Sequence, residues 1–290
     1  MNIKISFQIF TKGIGIFLIT TMNTFSVFPA VAQQPDCANY WTNPNTGETE
    51  CFNGEMNLIA EPEPVISQPQ SLSYKSSFLE KYNIGGQEIT IPSPDKYVRV
   101  TKQMDAVYRL HRHMEDPLND FLASYISQSD AAIAMKGEIP LLERGLVLKV
   151  GKELKGMVVS DQDFAEMKNE IKSYNKQIIN SNLPKLREIT KEKGQGISQE
   201  FNVDFAPEIS QIIPLDPHYE SENVLSYSMY IVYNISDPGS SQDYVTSATL
   251  TIVNVSGKVI SLYSYGAQND LEWTQNSSKA WSKKVVASNK

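Results

Sequence analysis

Residues 244–265 read YVTSATLTIVNVSGKVISLYSY. Two runs rich in Val, Ile, Thr and Tyr flank Ser256-Gly257, and such residues favour the pleated, half-buried surface of a sheet. The pattern predicts a tight hairpin joining strands over 244–255 and 258–265. Upstream, residues 224–233 share this texture, and Phe201, Val203 and Phe205 alternate with polar residues. Everything after Gly194-Gln195-Gly196 therefore reads as an antiparallel meander. Downstream, Asn269-Asp270 stands where a helix cap is expected, before Leu271, Trp273, Trp281 and Val285 on a closing helix.

Before the meander the periodicity changes. Residues 87–92 read as a strand, Ser93-Pro94-Asp95 as a turn, and Tyr97-Val98-Arg99-Val100 as a second strand. Met104, Val107, Leu110 and Met114 then form one helical stripe, ended by Asp116-Pro117. Short strands follow over 121–126 and 145–152. Ser160 and Asp163 stand in capping-box spacing ahead of Phe164, Met167, Ile171, Tyr174 and Ile178, the apolar seam of an amphipathic helix. Pro184 is expected to kink or restart that helix, with Leu183, Leu186 and Ile189 on a second piece. The predicted class is α+β, an antiparallel sheet covered by helices.

The chain has 290 residues, 41% hydrophobic and 20% charged, with a formal net charge of −7. That balance argues against a surface for nucleic acid or anionic lipid, both of which reward excess Lys and Arg. Residues 1–32 carry Lys4 and Lys12, no acid, an apolar run, and a closing Ala30-Val31-Ala32. This is the pattern of a secretory signal peptide cut after Ala32. Its loss would leave 258 residues with 24 basic and 33 acidic side chains, a net charge of −9. No later apolar run reaches bilayer length, so no transmembrane segment is expected in the exported form.

Residues 33–54 hold the two cysteines, Cys37 and Cys51, around the turn-rich Asn43-Pro44-Asn45-Thr46-Gly47. In an oxidising compartment they are expected to pair and staple a small hairpin, worth about 3 kcal/mol for a loop of this length. Tyr40 and Trp41 on that hairpin are candidates for a docking face. Pro62, Pro64 and Pro69 mark residues 55–77 as an extended linker, leaving 78–290 as one α+β domain.

Catalytic motifs are scarce. The three histidines are His111, His113 and His218. His111 and His113, two apart on the predicted helix, point away from each other and cannot share an ion; exposed polar residues are the expectation. No G-x-S-x-G or phosphate loop is present, and neither a metal nor an organic cofactor is expected. Glu200, Asp204, Asp216, Glu220 and Glu222 could supply paired carboxylates for a hydrolase, though sequence does not set their separation. Of 14 tyrosines, seven fall between Tyr219 and Tyr265. Tyr263 and Tyr265 share a strand face; with Tyr227 they could form a binding surface, or pack a sheet.

The run through Ile89-Thr90-Ile91-Pro92, Tyr97-Val98-Arg99-Val100, residues 160–178, Val253-Asn254-Val255-Ser256-Gly257-Lys258-Val259 and the Trp-containing last helix resembles uncharacterised exported bacterial proteins. Their order of elements is similar to the PsbP-like α/β sandwich, and the Cys37 to Phe52 hairpin resembles a module on cyanobacterial exported proteins. The resemblance implies an accessory role on a larger, often photosynthetic, complex; the signal pattern of residues 1–32 separately implies export, to the periplasm, the outside of the cell or the thylakoid lumen. The leading expectation is a non-catalytic exported protein that binds a protein or cell-envelope component. A carboxylate hydrolase and a small-ligand carrier are the alternatives.

Overall fold

Backbone conformation at two short turns sets the strand registers. Gly85 and Gly86 have φ of 56° and 87°, and Ser256 and Gly257 have φ of 50° and 72°. Paired left-handed residues are the type I′ geometry whose twist matches that of antiparallel strands. The computed structural model describes residues 39–42, 49–52, 79–113, 115, 118–237 and 240–290, in two units.

In the smaller unit, β1 (Asn39–Thr42) and β2 (Thr49–Phe52) pair antiparallel, with Tyr40 opposite Cys51 and Trp41 opposite Glu50. The predicted signal segment, the linker and Cys37 lie outside the described residues, as do the side chains of Tyr40, Trp41 and Cys51. The predicted disulfide therefore falls there too.

The larger unit begins with the hairpin of β3 (Leu79–Ile84) and β4 (Gln87–Pro92). Next come β5 (Tyr97–Arg99), α1 (Asp105–Arg112), β6 (Asn119–Ser127), α2 (Gln128–Ala134), β7 (Gly145–Gly151) and the single-turn α3 (Lys152–Lys155). A 41-residue helix, α4 (Asp161–Phe201), leads into β8 (Pro207–Ser221), β9 (Val224–Asp237), β10 (Ser240–Val255) and β11 (Lys258–Ala267). A 3₁₀ turn then opens α5 (Leu271–Ala287). Seven strands form one sheet in the order β5-β6-β7-β11-β10-β9-β8, and every neighbouring pair is antiparallel. The predicted α+β class is what the chain adopts.

Every residue of β7 is buried, and every residue of β11 except the last, so the middle of the sheet is covered on both faces. Strand register separates the two faces. One presents Leu146, Leu148, Ile260, Leu262 and Val253 to Trp281 and Val285 of α5 and to Ile84, Ile89 and Ile91 of the β3–β4 hairpin. The indole N–H of Trp281 donates to the Pro92 carbonyl at 2.8 Å, and its ring meets Tyr125 edge-on at 5.4 Å. On the other face lie α1, whose His111 reaches Ser124 of β6 at 2.5 Å, and α4 against β8 and β9.

Helix α4 departs from expectation. Its capping box at Ser160 and Asp163 forms as read, but Pro184 lies inside one continuous helix and does not restart it. Pro184 forfeits one backbone bond, to the Asn180 carbonyl, and both residues lie on the exposed side where water can take that acceptor. Residues 194–196, after which the meander was expected to begin, are also helical. A Cβ on Gly194 would stand 2.6 Å from Pro207 Cδ, and one on Gly196 2.8 Å from His113 Nδ1. Those glycines serve close approach, not chain reversal. Helix then runs through Phe201, and Asn202 at φ 52° ends it, so Phe201, Val203 and Phe205 do not form a strand. Four elements, β3, α2, the single-turn α3 and β8, went unread in the sequence.

Replacing Gly194 with Ala should therefore lower stability, although Ala is the better helix former by about 1 kcal/mol. Overpacking against Pro207 should cost about 1–3 kcal/mol net, visible as a lower midpoint in thermal or denaturant unfolding. An unchanged or higher midpoint would show that the Gly194–Pro207 contact does not constrain the helix.

Candidate functional site

The sheet register puts Tyr263 opposite Leu250 and Leu250 opposite Tyr227, so these tyrosines share the face that α1 and α4 cover. Tyr227, Tyr263 and Tyr265 are 1%, 3% and 1% exposed, and the rings of Tyr263 and Tyr265 stack at 6.1 Å. The expected same-face pair is present, but the expected binding surface is not: both faces of the central strands are roofed. These rings contribute packing area to the core. Burial, and then the neighbouring Tyr263, pushes the Tyr227 phenol well above its ordinary pKa.

The histidines separate as their spacing requires. His113 meets Glu200 of α4 at 2.5 Å, whereas His111 points the other way, into the sheet. His111 is 2% exposed, which corrects the expectation of a solvated residue. Burial lowers its pKa to about 3. His218 approaches Ser226 Oγ at 3.2 Å and Ser228 Oγ at 3.4 Å, a pairing that invites a nucleophilic reading. Both serines are fully buried and bonded onward to Thr251 and Thr249, so no substrate carbonyl can reach them. Burial also lowers the His218 pKa. Among the described residues, no three His, Cys, Asp or Glu side chains are grouped to hold a metal ion.

The carboxylates named for hydrolysis disperse. Glu200 is held by His113 and Arg109; the hydrogen bond from His113, then that from Arg109, keeps its carboxyl below the usual range. Glu220 is held likewise by Lys172 and then Lys168. A general acid needs the opposite shift. Glu170 is pushed up, by burial and then by Glu166 one turn earlier on the same helix. Asp204 and Asp216 line separate clefts.

Those clefts lie along the seam of α4 and β8. The larger, about 640 Å³, is walled by α4 from Arg187 to Gln199 and by residues 204–208. Arg187 crosses it to donate to the Ile209 and Ser210 carbonyls, both at 2.7 Å. The smaller, about 270 Å³, lies between Ile171 to Gln177 of α4 and Pro214 to Pro217 of β8, with Tyr227 also in its lining. The Tyr227 hydroxyl and the Asn175 Oδ1 are buried and have no hydrogen-bond partner among the described residues. An unpartnered buried polar atom costs about 1–3 kcal/mol, so two on one cleft mark it as unusual. Sequence reading missed this cleft because it depends on β8, and the only local signal is Pro214-Leu215-Asp216-Pro217.

A second surface feature surrounds α2. Ile133, Met135, Ile139 and Leu141 are 37%, 42%, 38% and 61% exposed within nine residues. Ala131, Ala134 and Leu142 anchor the segment from below, each fully buried, and Leu142 holds a left-handed φ of 50°. A buried aliphatic residue seldom adopts that conformation, so the surrounding packing determines this loop's path.

His111 makes stability depend on pH with a definite sign. Its folded pKa, about 3, lies below the ordinary 6.5, so the unfolded chain takes up the proton first as pH falls. Stability is complete above pH 6.5 and is lost as pH drops toward 3, at up to about 1.4 kcal/mol per pH unit. His218 acts in the same sense. Denaturant unfolding at pH 7 and pH 5 should show a smaller loss for His111→Gln than for the wild type; equal losses would contradict the buried, neutral assignment.

No protein-family model matches the chain, and no curated protein matches it.

Proposed function

We propose that this chain is an exported, non-catalytic accessory protein that binds a protein partner through the surface of residues 133–141. The observation that carries the reading is the concentration of Ile133, Met135, Ile139 and Leu141 on a segment held from beneath by fully buried anchors. Exposed apolar side chains scattered singly need no explanation; a run of four on a constrained segment favours a partner that covers it. Preorganisation also lowers the entropy lost on docking. Lys136, Glu138, Glu143 and Arg144 interleave both charges around the apolar residues, the composition of a protein interface rim and not of a basic membrane patch.

Export, cleavage after Ala32, a Cys37–Cys51 disulfide and a PsbP-like arrangement of the larger unit belong to the same proposal. They rest on the N-terminal pattern, on cysteine usage, and on the sequence of strand, central helix, meander and closing helix. The dispersal of Glu200 and Glu220 into ion pairs favours binding over hydrolysis.

Native mass spectrometry of the protein isolated from its source should show it with a partner polypeptide. An Ile139→Ser/Leu141→Ser variant should lose that complex, or bind at least about tenfold more weakly, with an unchanged unfolding midpoint. A wild-type protein found only as the bare chain would overturn the reading. Intact-mass measurement of the exported form should give a chain beginning at Gln33 and carrying no thiol until it is reduced.

A further inference from the structure

We propose that His218 is a pH-operated latch, whose neutral ring pins the Pro214–Tyr219 stretch of edge strand β8 to β9 and whose protonation releases that stretch. This stands apart from the partner surface at 133–141 and does not depend on it.

The hydrogen bonds around the ring run in one direction. Thr274 of α5 donates to the Leu271 carbonyl, which can only accept, so Thr249 must donate to Thr274. A hydroxyl has one hydrogen, so Ser228 in turn donates to Thr249, at 2.8 Å. Ser228 is left as an acceptor, for Gln275 Nε2 at 3.3 Å and for His218 Nδ1 at 3.4 Å. That order puts the ring hydrogen on Nδ1. The bare Nε2 of the neutral ring then accepts from Ser226 at 3.2 Å, and Ser226 accepts from Thr251 at 2.7 Å.

A second ring hydrogen breaks this order. With Nε2 donating, Ser226 must turn its own hydrogen to Thr251, and the Thr251 hydrogen loses its acceptor. Thr251 is fully buried, and Ser226 is the partner its hydroxyl has among the described residues. A buried donor left unpaired is costly, so protonation and these bonds oppose each other.

Charge acts in the same sense. From α5, Lys279 and Lys283 stand 5.1 and 5.7 Å from the ring of the adjacent Tyr219, and Glu272 is exposed one turn before Gln275. The side chains facing His218 from β9 and β10, Ser226, Ser228, Thr249 and Thr251, carry no charge. On β8 itself, Asp216 lines the cleft beside α4, Glu220 is held by Lys172 and Lys168, and Glu222 lies in the turn before β9. Burial lowers the His218 pKa, and Lys279 adds to this against the Gln275 carbonyl, which favours the proton.

The strand ladder around His218 is weak. Pairing with β9 shifts register between Pro214 and Pro217 and again between Pro217 and Tyr219. Neither proline has an N–H to donate, so the side-chain bonds of His218 carry the tether that the backbone lacks. The tethered stretch is one wall of the 270 Å³ cleft, and its release opens that cleft while β10 and β11 stay paired. Once released, the ring titrates near the ordinary 6.5, above the latched ring. The latch is therefore closed above pH 6.5 and loosens as pH falls below it.

Two measurements on the full chain test this. Long-range ¹H–¹⁵N spectra at pH 7.5 should show His218 with its hydrogen on Nδ1; a hydrogen on Nε2 would overturn the latch. Amide hydrogen exchange, corrected for intrinsic rates, should show protection over residues 212–221 falling about tenfold more than over 246–265 between pH 7 and pH 5. Titration of His111 weakens both regions alike and cancels from that comparison. His218→Gln has no titratable ring and should abolish the difference. Equal loss of protection in the two regions of the wild type would sink the proposal, as would a His218→Gln chain that keeps the wild-type difference.

Discussion

Helix α5 settles onto the middle of the sheet through hydroxyl groups. Thr274, Ser278 and Ser282, at steps of four along the helix, are all fully buried. Beneath them the register aligns Ser264 with Thr249 and Thr249 with Ser228. Ser264 meets Ser278 at 2.7 Å, and Thr249 meets Thr274 at 2.8 Å. Small side chains let backbone approach backbone, and buried hydroxyls must find partners, so helix and sheet are matched at discrete positions. Apolar contact alone would tolerate sliding, because it has no direction. Farther along the same helix stripe, Trp281 and Val285 return to apolar packing, and the indole bond to Pro92 brings the β3–β4 hairpin under the same clamp.

This clamp assigns different work to the two faces of the sheet. With one face committed to α5 and the hairpin, Tyr227, Tyr263 and Tyr265 fall on the other, where they are buried as well. The exposed apolar side chains and the clefts lie outside the central strands, on the α2 segment and along the seam where α4 meets edge strand β8. That edge is blunted, since Pro214 and Pro217 lack donors and Arg187 occupies the Ile209 and Ser210 carbonyls. An edge protected in this way discourages strand pairing with another chain. The same prolines and bulges open the small cleft.

Much of this architecture could be read locally. The Ser256-Gly257 turn, the Ser160 capping box, the Met104–Val107–Leu110 stripe and the alternation of β10 and β11 each concern residues close in sequence, whose conformational preferences are intrinsic. Misreadings arose where a distant contact overrode a local preference. Pro184 stays helical because its lost bond faces water, Gly194 because Pro207 needs the space, and His111 is buried because Ser124 lies across from it. Strand β8 was invisible because its prolines and acidic residues suit an edge and suit a loop equally well.

The candidate surfaces divide along the same line. Sequence by itself determined the α+β class, the order of most elements, the two-apart divergence of His111 and His113, and the shared face of Tyr263 and Tyr265, because periodicity and turn chemistry are local properties. Only the tertiary structure decided that the tyrosine face is buried, that Glu200 and Glu220 are spent in ion pairs, and that Asn175 and Tyr227 line one cleft. Burial and juxtaposition depend on residues far apart in the chain, and no local pattern encodes which helix comes to lie on which face.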